Sequence, residues 1–228
     1  MLYAGHSKLN NNDEVFDELL EGIDQVYADL DRQYDAETLG AVLRPGRKHQ
    51  LFPDSPAGTP FVKFIDKNQV PFDLQHTEDA VWKFLQGPRA LKGRVCSKVL
   101  LSCEGGLATY VREQRVARKF VEENRTVFVS RTLSEPTIVM PWPAGLRFSE
   151  TMSVIVTAGK NLASGQESTI IERIVSVSRH IGGGKAVVFK EWSAFVDIAV
   201  EGWDRKMSCN RQEIENLLLD ESIRTQNY

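Results

Sequence analysis

The C-terminal part of the chain carries a long helical pattern of apolar residues, and this pattern restricts the fold more than any other feature. It runs from about residue 185 to residue 220 and contains one glycine and no proline. At 3.6 residues per turn, it predicts a helix of about ten turns with a single apolar stripe. The stripe consists of Val188, Trp192, Phe195, Val196, Ala199, Trp203, Met207, Ile214, Leu217 and Leu218. Such a stripe must be buried, so we expect either a helix–sheet core or a helix that partly walls a ligand cavity.

The middle of the chain changes to the two-residue period of β-strands. Four strand-like segments follow one another without helices between them, at residues 110–121, 126–133, 146–157 and 168–178. This succession is typical of an antiparallel sheet rather than of βαβ units. The sequence therefore predicts an α+β protein.

The segments before these strands are less regular. An amphipathic helix is predicted over residues 12–35, and a short helix is predicted from residue 77 to a stop at Gly87. The stretch between them, from 45 to 71, is rich in proline and glycine and is predicted to be loop with short extended pieces.

Charge is distributed unevenly along the chain, although the net charge is only −3. Residues 10–40 contain ten acidic side chains and one basic one, whereas residues 89–119 contain eight basic and two acidic ones. We interpret the basic stretch as a solvated strand face paired with the acidic N-terminal helix. Nucleic acid is not expected as a partner, because the pI is near 5.9 and no aromatic side chains alternate with these bases. Transient contact of the bases with a membrane surface stays open.

The usual catalytic and metal-binding motifs are absent from the sequence. There is no nucleophile elbow, the glycines at 182–184 lack the spacing of a phosphate loop, and the four histidines are scattered. We therefore predict no catalytic residue, no metal site and no cofactor. The N-terminus does not resemble a secretory signal and three cysteines are too few for a disulfide framework, so an intracellular, cytoplasmic protein is expected.

Three charged residues fall on the more apolar side of the predicted strands. They are Arg131, Glu150 and Arg173, and each occupies a position whose neighbours at ±2 are mostly apolar. A charge on a core-facing position is costly unless it is paired. Two bases and one acid leave one positive charge free to meet an anionic or polar ligand head group. The alternative is one Arg–Glu pair at a sheet edge, with the other arginine in water.

Three short blocks of sequence resemble START-like proteins of oomycetes, often described as mating-specific. The blocks are residues 118–129 (RKFVEENRTVFV), 145–151 (GLRFSET) and 214–221 (IENLLLDE). The resemblance implies a helix-grip (START-like) fold, in which a curved antiparallel sheet packs around a long C-terminal helix. It also implies an apolar cavity between them for a lipid or similar molecule.

The resemblance sets the expected domain limits and the candidate site. We expect an N-terminal tail over residues 1–12, the START-like domain over 13–221 and a C-terminal tail over 222–228. Relatives often carry a basic, zipper-like helix before this domain, and we expect that DNA-binding part to be absent here. The candidate ligand-binding residues are Val129, Arg131, Phe148, Glu150, Met152, Ile171, Arg173, Trp192, Phe195 and Trp203.

Three functions compete at this point. The first is non-catalytic binding of a hydrophobic small molecule, a lipid above all, in the cavity. The second is a cyclase or dehydratase on the same scaffold, for which Glu150 would be the acid–base group and His180 or Tyr110 its partner. The third is a protein-interaction module without a ligand, which the acidic N-terminal helix would favour.

Overall fold

The computed structural model of the protein describes residues 13–33, 45–53, 61–87, 94–102, 108–136, 147–180 and 189–226. Within these residues seven strands form one sheet in the order β1-β2-β7-β6-β5-β4-β3, and every neighbouring pair is antiparallel. The strands are β1 Gly46–Phe52, β2 Phe61–Val70, β3 Arg94–Ser102, β4 Ala108–Val121, β5 Thr126–Pro136, β6 Phe148–Ala158 and β7 Thr169–Arg179. The helices are α1 Asp13–Glu21, α2 Ile23–Ala28, α3 Leu30–Gln33, α4 Leu74–Gln86 and α5 Phe189–Gln226.

The predicted fold class is confirmed. The protein is α+β, and its antiparallel sheet packs against one long C-terminal helix in the helix-grip arrangement. Helix α5 continues to Gln226, five residues past the predicted end of the domain at residue 221. None of the described helices is long and apolar enough to cross a membrane.

Both faces of the sheet are covered by helices. On the face we call the α5 face, side chains of β2, β5, β6 and β7 form one buried cluster with α4 and the second half of α5, including Phe128, Met152, Val175, Trp203 and Met207. On the opposite face, which we call the α1 face, a second cluster joins α1–α3 to β4–β7 and includes Phe16, Ile23, Val127, Val129 and Ile174. The sheet is therefore the middle layer of three.

This two-sided burial makes the predicted inward face of β5 wrong. Because side chains alternate along a strand, Val129 and Arg131 lie on the α1 face, whereas Phe128, Ser130 and Thr132 lie on the α5 face. Apolar residues occur on both sides of β5, since each side meets a helix. The rule that the more apolar side faces the long helix therefore fails here.

Two strands lie where the sequence predicted mostly loop. β1 is an edge strand that pairs only with β2 among the described residues, and β2 pairs with β7 along all of its ten residues. The alternation of β2 was hidden because the buried side holds polar Asp66 and Asn68 beside apolar Phe64 and Val70. A strand whose buried side contains charge lacks the apolar alternation that identifies strands in a sequence.

The predicted N-terminal helix is divided into three short helices rather than forming one over residues 12–35. The first break lies at Gly22, where the Arg131 guanidinium donates to the carbonyl oxygens of Glu18 and Leu19 at 2.8 and 3.1 Å. These carbonyls belong to the last turn of α1, and Arg131 provides partners at its end. A Cβ atom at residue 22 would overlap the Arg131 guanidinium.

The acidic N-terminal helices pair with bases of the β4–β5 hairpin, of which Arg118 belongs to the basic stretch 89–119 that was expected to face them. Arg118 of β4 pairs with Asp24, and Arg125 pairs with Asp31 at 2.8 Å. The ring of Tyr27 also stacks on Phe120, with centroids 3.9 Å apart. These contacts hold α2 and α3 against the hairpin of β4 and β5.

We expect Gly22→Ala to lower the free energy of unfolding when Arg131 is present and to raise it when Arg131 is removed. Gly22 has ordinary helical angles (φ −89°, ψ −3°), so alanine alone would stabilise the folded chain by about 0.4–1 kcal/mol. In the wild-type background the new methyl group must push the guanidinium off its two carbonyls, which costs about 1 kcal/mol or more. Urea unfolding of the four proteins in this double-mutant cycle measures the coupling. Strictly additive effects would contradict the role given to Arg131.

Candidate functional site

A buried lysine connects the long helix to two strands of the sheet. Lys206 of α5 places its ammonium 2.7 Å from a carboxylate oxygen of Glu113 on β4 and 2.8 Å from one of Glu150 on β6. Arg115 donates to Glu113 at 3.2 Å, and the Trp203 indole N–H donates to Glu150. These five residues form what we call the Lys206 cluster, in which two carboxylates balance two cations.

The charged groups of the cluster keep one another ionised although they are buried. Burial raises the pKa of the Glu113 carboxyl, but Lys206 and Arg115 outweigh this effect, and the pKa falls below its ordinary value. Burial likewise lowers the pKa of the Lys206 ammonium, but Glu113 and Glu150 outweigh it and raise the pKa. Glu113 and Lys206 are therefore ionised at neutral pH.

A row of hydroxyl groups runs along β5 beside this cluster. Ser130, Thr132 and Ser134 lie on the α5 face and are at most 1% exposed, and their side-chain oxygens have no hydrogen-bond partner among the described residues. Thr132 lies across from Arg115 on one side and from Glu150 on the other. A buried hydroxyl without a partner costs free energy, about 1–3 kcal/mol, so three in a row are an unusual feature of a core. We call them the hydroxyl row.

A second buried ion cluster lies towards the β1 edge of the sheet. The Arg173 guanidinium of β7 binds the Asp66 carboxylate of β2, and its Nη1 also donates to the carbonyl oxygen of Met207 at 3.3 Å. Arg47 of β1 binds the same carboxylate at 3.1 Å and Asp204 of α5 at 2.9 Å. This cluster attaches the edge strands to the second half of α5.

The structure brings together only part of the predicted site. Six of the candidate residues lie on the α5 face or on the helix above it: Phe148, Glu150, Met152, Ile171, Arg173 and Trp203. The Phe148 and Trp203 rings meet edge to face with centroids 5.0 Å apart, next to the bond between Trp203 and Glu150. The side chains of Trp192 and Phe195 lie outside the described part of the structure.

The three predicted charges do not form one site. Arg131 is on the α1 face, and Arg173 is bound to Asp66. Glu150 pairs across the strands with Val177, whereas Arg173 pairs with Val154, which places them about 13 Å apart along the sheet. The expectation of a free positive charge beside Glu150 is therefore wrong, since the cation that meets it is Lys206.

Sequence reasoning missed Lys206, Glu113 and the hydroxyl row. Lys206 is charged and is therefore not part of the predicted apolar stripe, yet it is three residues after Trp203 and lies on the same side of the helix. Glu113 could have been found by pairing β4 with β5 from their short hairpin, since Ser134 faces it in the resulting register. Nothing in the sequence indicated that the hydroxyls are buried, because serine and threonine are also common on solvent-exposed strands.

The described residues also form an open pocket of about 330 Å³ near the end of α5. Phe72, His76, Gln166 and Leu218 are among the residues that line it. Leu218 is fifteen residues beyond Trp203, or about 22 Å along the helix. This pocket is thus separate from the Lys206 cluster and the hydroxyl row.

The groups expected for catalysis do not meet at Glu150 in the described structure. The hydrogen bonds found for this carboxylate come from Trp203 and Lys206, while the backbone N–H of His180 donates to the Arg147 carbonyl at 2.9 Å. The side chain of Tyr110 lies outside the described residues. Among the residues that can be described, no three His, Cys, Asp or Glu side chains are grouped so as to hold a metal ion.

Comparison with known proteins gives likenesses of shape only. No protein-family model and no curated protein sequence matches the chain. Its fold is similar to that of the Mll3558 protein of Rhizobium loti, with 13% identity, 75% of this chain and 99% of that chain covered, and a TM-score of 0.40. It is also similar to Ara h 8.0201 (15%, 70% and 99%, TM-score 0.38) and to the Staphylococcus aureus protein SA2116 of unknown function (8%, 73% and 98%, TM-score 0.39). At such low identities and scores, the function has to be inferred from the site itself.

Replacing the buried lysine should destabilise the protein strongly. Lys206→Met would leave the Glu113 and Glu150 carboxylates buried without their shared cation, and we expect a loss of about 3–5 kcal/mol in the free energy of unfolding at pH 7. Lys83→Met is the matched control, because its 3.4 Å pair with Glu221 is largely exposed and its loss should cost less than about 1 kcal/mol. Equal losses for the two variants in urea titrations would contradict the burial argument.

The pH dependence of the same variant tests the charge assignment. Glu113 has a lowered pKa in the folded protein, so its contribution is present above about pH 4.5 and is lost as the pH falls. Lys206 has a raised pKa, so its contribution is complete below about pH 10.5 and is lost only at higher pH. The difference in the free energy of unfolding between wild type and Lys206→Met should therefore be largest near neutral pH. It should become smaller towards pH 4.5, because the carboxyl groups of the variant take up protons. A gap that stays constant between pH 7 and pH 4.5 would show that the cluster is not ionised as described.

Proposed function

We propose that this protein binds a hydrophobic small molecule, a lipid or a molecule of similar character, between the α5 face of the sheet and helix α5, without chemical conversion. The observation that carries the proposal is the hydroxyl row, a set of buried polar groups that have no partner among the described residues and lie between apolar side chains and the Lys206 cluster. Binding sites for small molecules are mostly apolar and contain a few placed polar groups. A core that served stability alone would replace or pair these three hydroxyls.

The wall around the row fits this role. Phe148 and Met152 of β6 lie directly across from Ser134 and Ser130, and Trp203 covers Phe148 from the helix. Ile171 belongs to the same buried cluster. Trp192 and Phe195 stand on the first half of α5 and are proposed to extend the wall. Val129, on the other face, is no longer a candidate.

The residue blocks that resemble oomycete START-like proteins support the same function. They coincide with the hairpin of β4 and β5, the start of β6 and the second half of α5. These are the elements that carry the hydroxyl row, Glu150 and the segment after Lys206. We propose on this basis that the chain is related to those mating-specific proteins.

The enzyme alternative has less support from the site. Glu150 was its acid–base candidate, and Oε2 of this carboxylate accepts hydrogen bonds from both Trp203 and Lys206. In the described structure no hydrogen bond joins Glu150 to His180, one of the two partners expected for general acid–base catalysis, and the side chain of Tyr110, the other, lies outside the described residues. We therefore assign Glu150 to holding α5 and positioning the wall.

The proposal predicts that the purified protein carries a hydrophobic molecule. Native mass spectrometry should show a reproducible mass above that of the 25.7 kDa chain, and denaturing extraction should release the molecule. Thr132→Val keeps the side-chain shape, so it should reduce the loaded fraction while raising the free energy of unfolding of the stripped protein by about 1 kcal/mol.

Thr151→Val is the matched control for this experiment. Thr151 lies on the neighbouring strand β6 and points to the α1 face, so its replacement should leave the loaded fraction unchanged. A bare ion for the wild type, with no binding from a broad lipid panel, would favour the protein-interaction module instead. A stripped Thr132→Val protein that is less stable than wild type would show that the hydroxyl has a partner.

A further inference from the structure

We infer that the polar part of the ligand is uncharged and contains two or more hydroxyl or carbonyl oxygens spaced along its length. This inference rests on the proposed function, and it specifies the class of molecule that the site accepts. It narrows the expectation of an anionic or polar head group to a polar, uncharged one, since the anionic alternative depended on a free arginine.

The charges around the site leave no partner for an ionic head group. Within the described residues, each buried charge on the α5 face is already paired: Lys206 with Glu113 and Glu150, Arg173 with Asp66, and Glu78 with Lys119 at 2.9 Å. A carboxylate or phosphate placed beside Thr132 would lie near Glu150, and the described cations next to it, Arg115 and Lys206, are already bound to Glu113 and Glu150. A buried charge that gains no partner is strongly disfavoured, so the site selects against anions.

A cationic head group is disfavoured as well, because cations of the protein already bind the carboxylates. Thr132 lies across from Arg115, and Lys206 occupies the space between the two carboxylates. A ligand ammonium would have to displace one of these cations from its bonds. The Lys206 cluster holds two carboxylates and two cations, so its charges balance without a ligand ion.

What stays free is the capacity of the hydroxyl row. Each serine or threonine hydroxyl has one donor and two acceptor positions, so it can bind a hydroxyl or a carbonyl oxygen equally well. Successive members of the row are two residues apart on one strand, or about 7 Å, and the whole row extends over about 13 Å. A lipid with one polar end would engage one end of this row and leave the other hydroxyls buried without partners. A molecule with oxygens spaced along an otherwise apolar skeleton would engage two or three of them.

Three probes with the same chain length separate these possibilities. They are dodecanoate, dodecanol and a dodecanediol whose hydroxyls are about 7 Å apart when the chain is extended. Binding to the stripped full-length protein is measured by isothermal titration calorimetry at pH 7. We expect the diol to bind more tightly than dodecanol. Its dissociation constant should be at least about tenfold lower than that of dodecanoate. Thr132→Val should weaken diol binding about tenfold, and Thr151→Val should leave it unchanged.

The outcomes distinguish a failure of this inference from a failure of the proposed function. Tightest binding of dodecanoate, or diol binding that is the same for wild type and Thr132→Val, would overturn the uncharged-ligand inference while hydrophobic binding stands. Unchanged diol binding in Thr132→Val would also indicate that water satisfies the row. If no probe binds and the protein as purified carries no small molecule, the proposed function itself fails.

Discussion

The position of α5 on the sheet depends on one buried ammonium group. Lys206 is surrounded by protein and stays charged because Glu113 and Glu150 approach it from two strands that are separated by β5. Coulomb attraction in such an environment is strong, and the loss of either partner leaves an uncompensated charge. A shift of α5 by one turn would separate the ammonium from both carboxylates. The cluster therefore fixes the helix in register, and with it the contact of Trp203 with Phe148.

A second ion cluster fixes the same part of the helix in a different direction. Arg47 donates to the Asp204 carboxylate and to the hydroxyl of Ser208, while Arg173 reaches the carbonyl of Met207. Further along, Arg211 donates to Asn68 of β2 at 2.9 Å. The segment of α5 after Gly202 is thus held towards β4 and β6 by Lys206 and towards β1, β2 and β7 by the arginines. Buried ion pairs add little net stability compared with apolar packing, but their geometry is specific, so together they fix the position of this helix on the sheet.

The sequence predicted the α+β architecture but not the arrangement of the site. Both outcomes follow from what the periodicity of apolar residues can show. Periodicity reports which residues are apolar, and it identified β4–β7 and the long helix because their stripes are long and regular. It did not reveal β2, where Asp66 and Asn68 interrupt the buried side, and it gave the wrong ligand-facing side for β5, where helices cover both faces. It also left Lys206 out of the buried stripe, since a single charged residue on a helix is normally exposed. In each case the missing information was the identity of the partner across the sheet or the helix, which only the three-dimensional arrangement supplies.

The hydroxyl row differs from the other buried hydroxyl groups on the α5 face. Thr126 donates to Glu78 at 2.7 Å, and Thr169 donates to the Phe72 carbonyl at 2.8 Å. Ser130, Thr132 and Ser134 have the same chemistry and equal burial, yet they have no hydrogen-bond partner among the described residues. Thr126 lies on the same side of the same strand, so neither β5 nor the α5 face prevents a hydroxyl group from being paired. This contrast between equivalent groups is the observation on which the proposed ligand site depends.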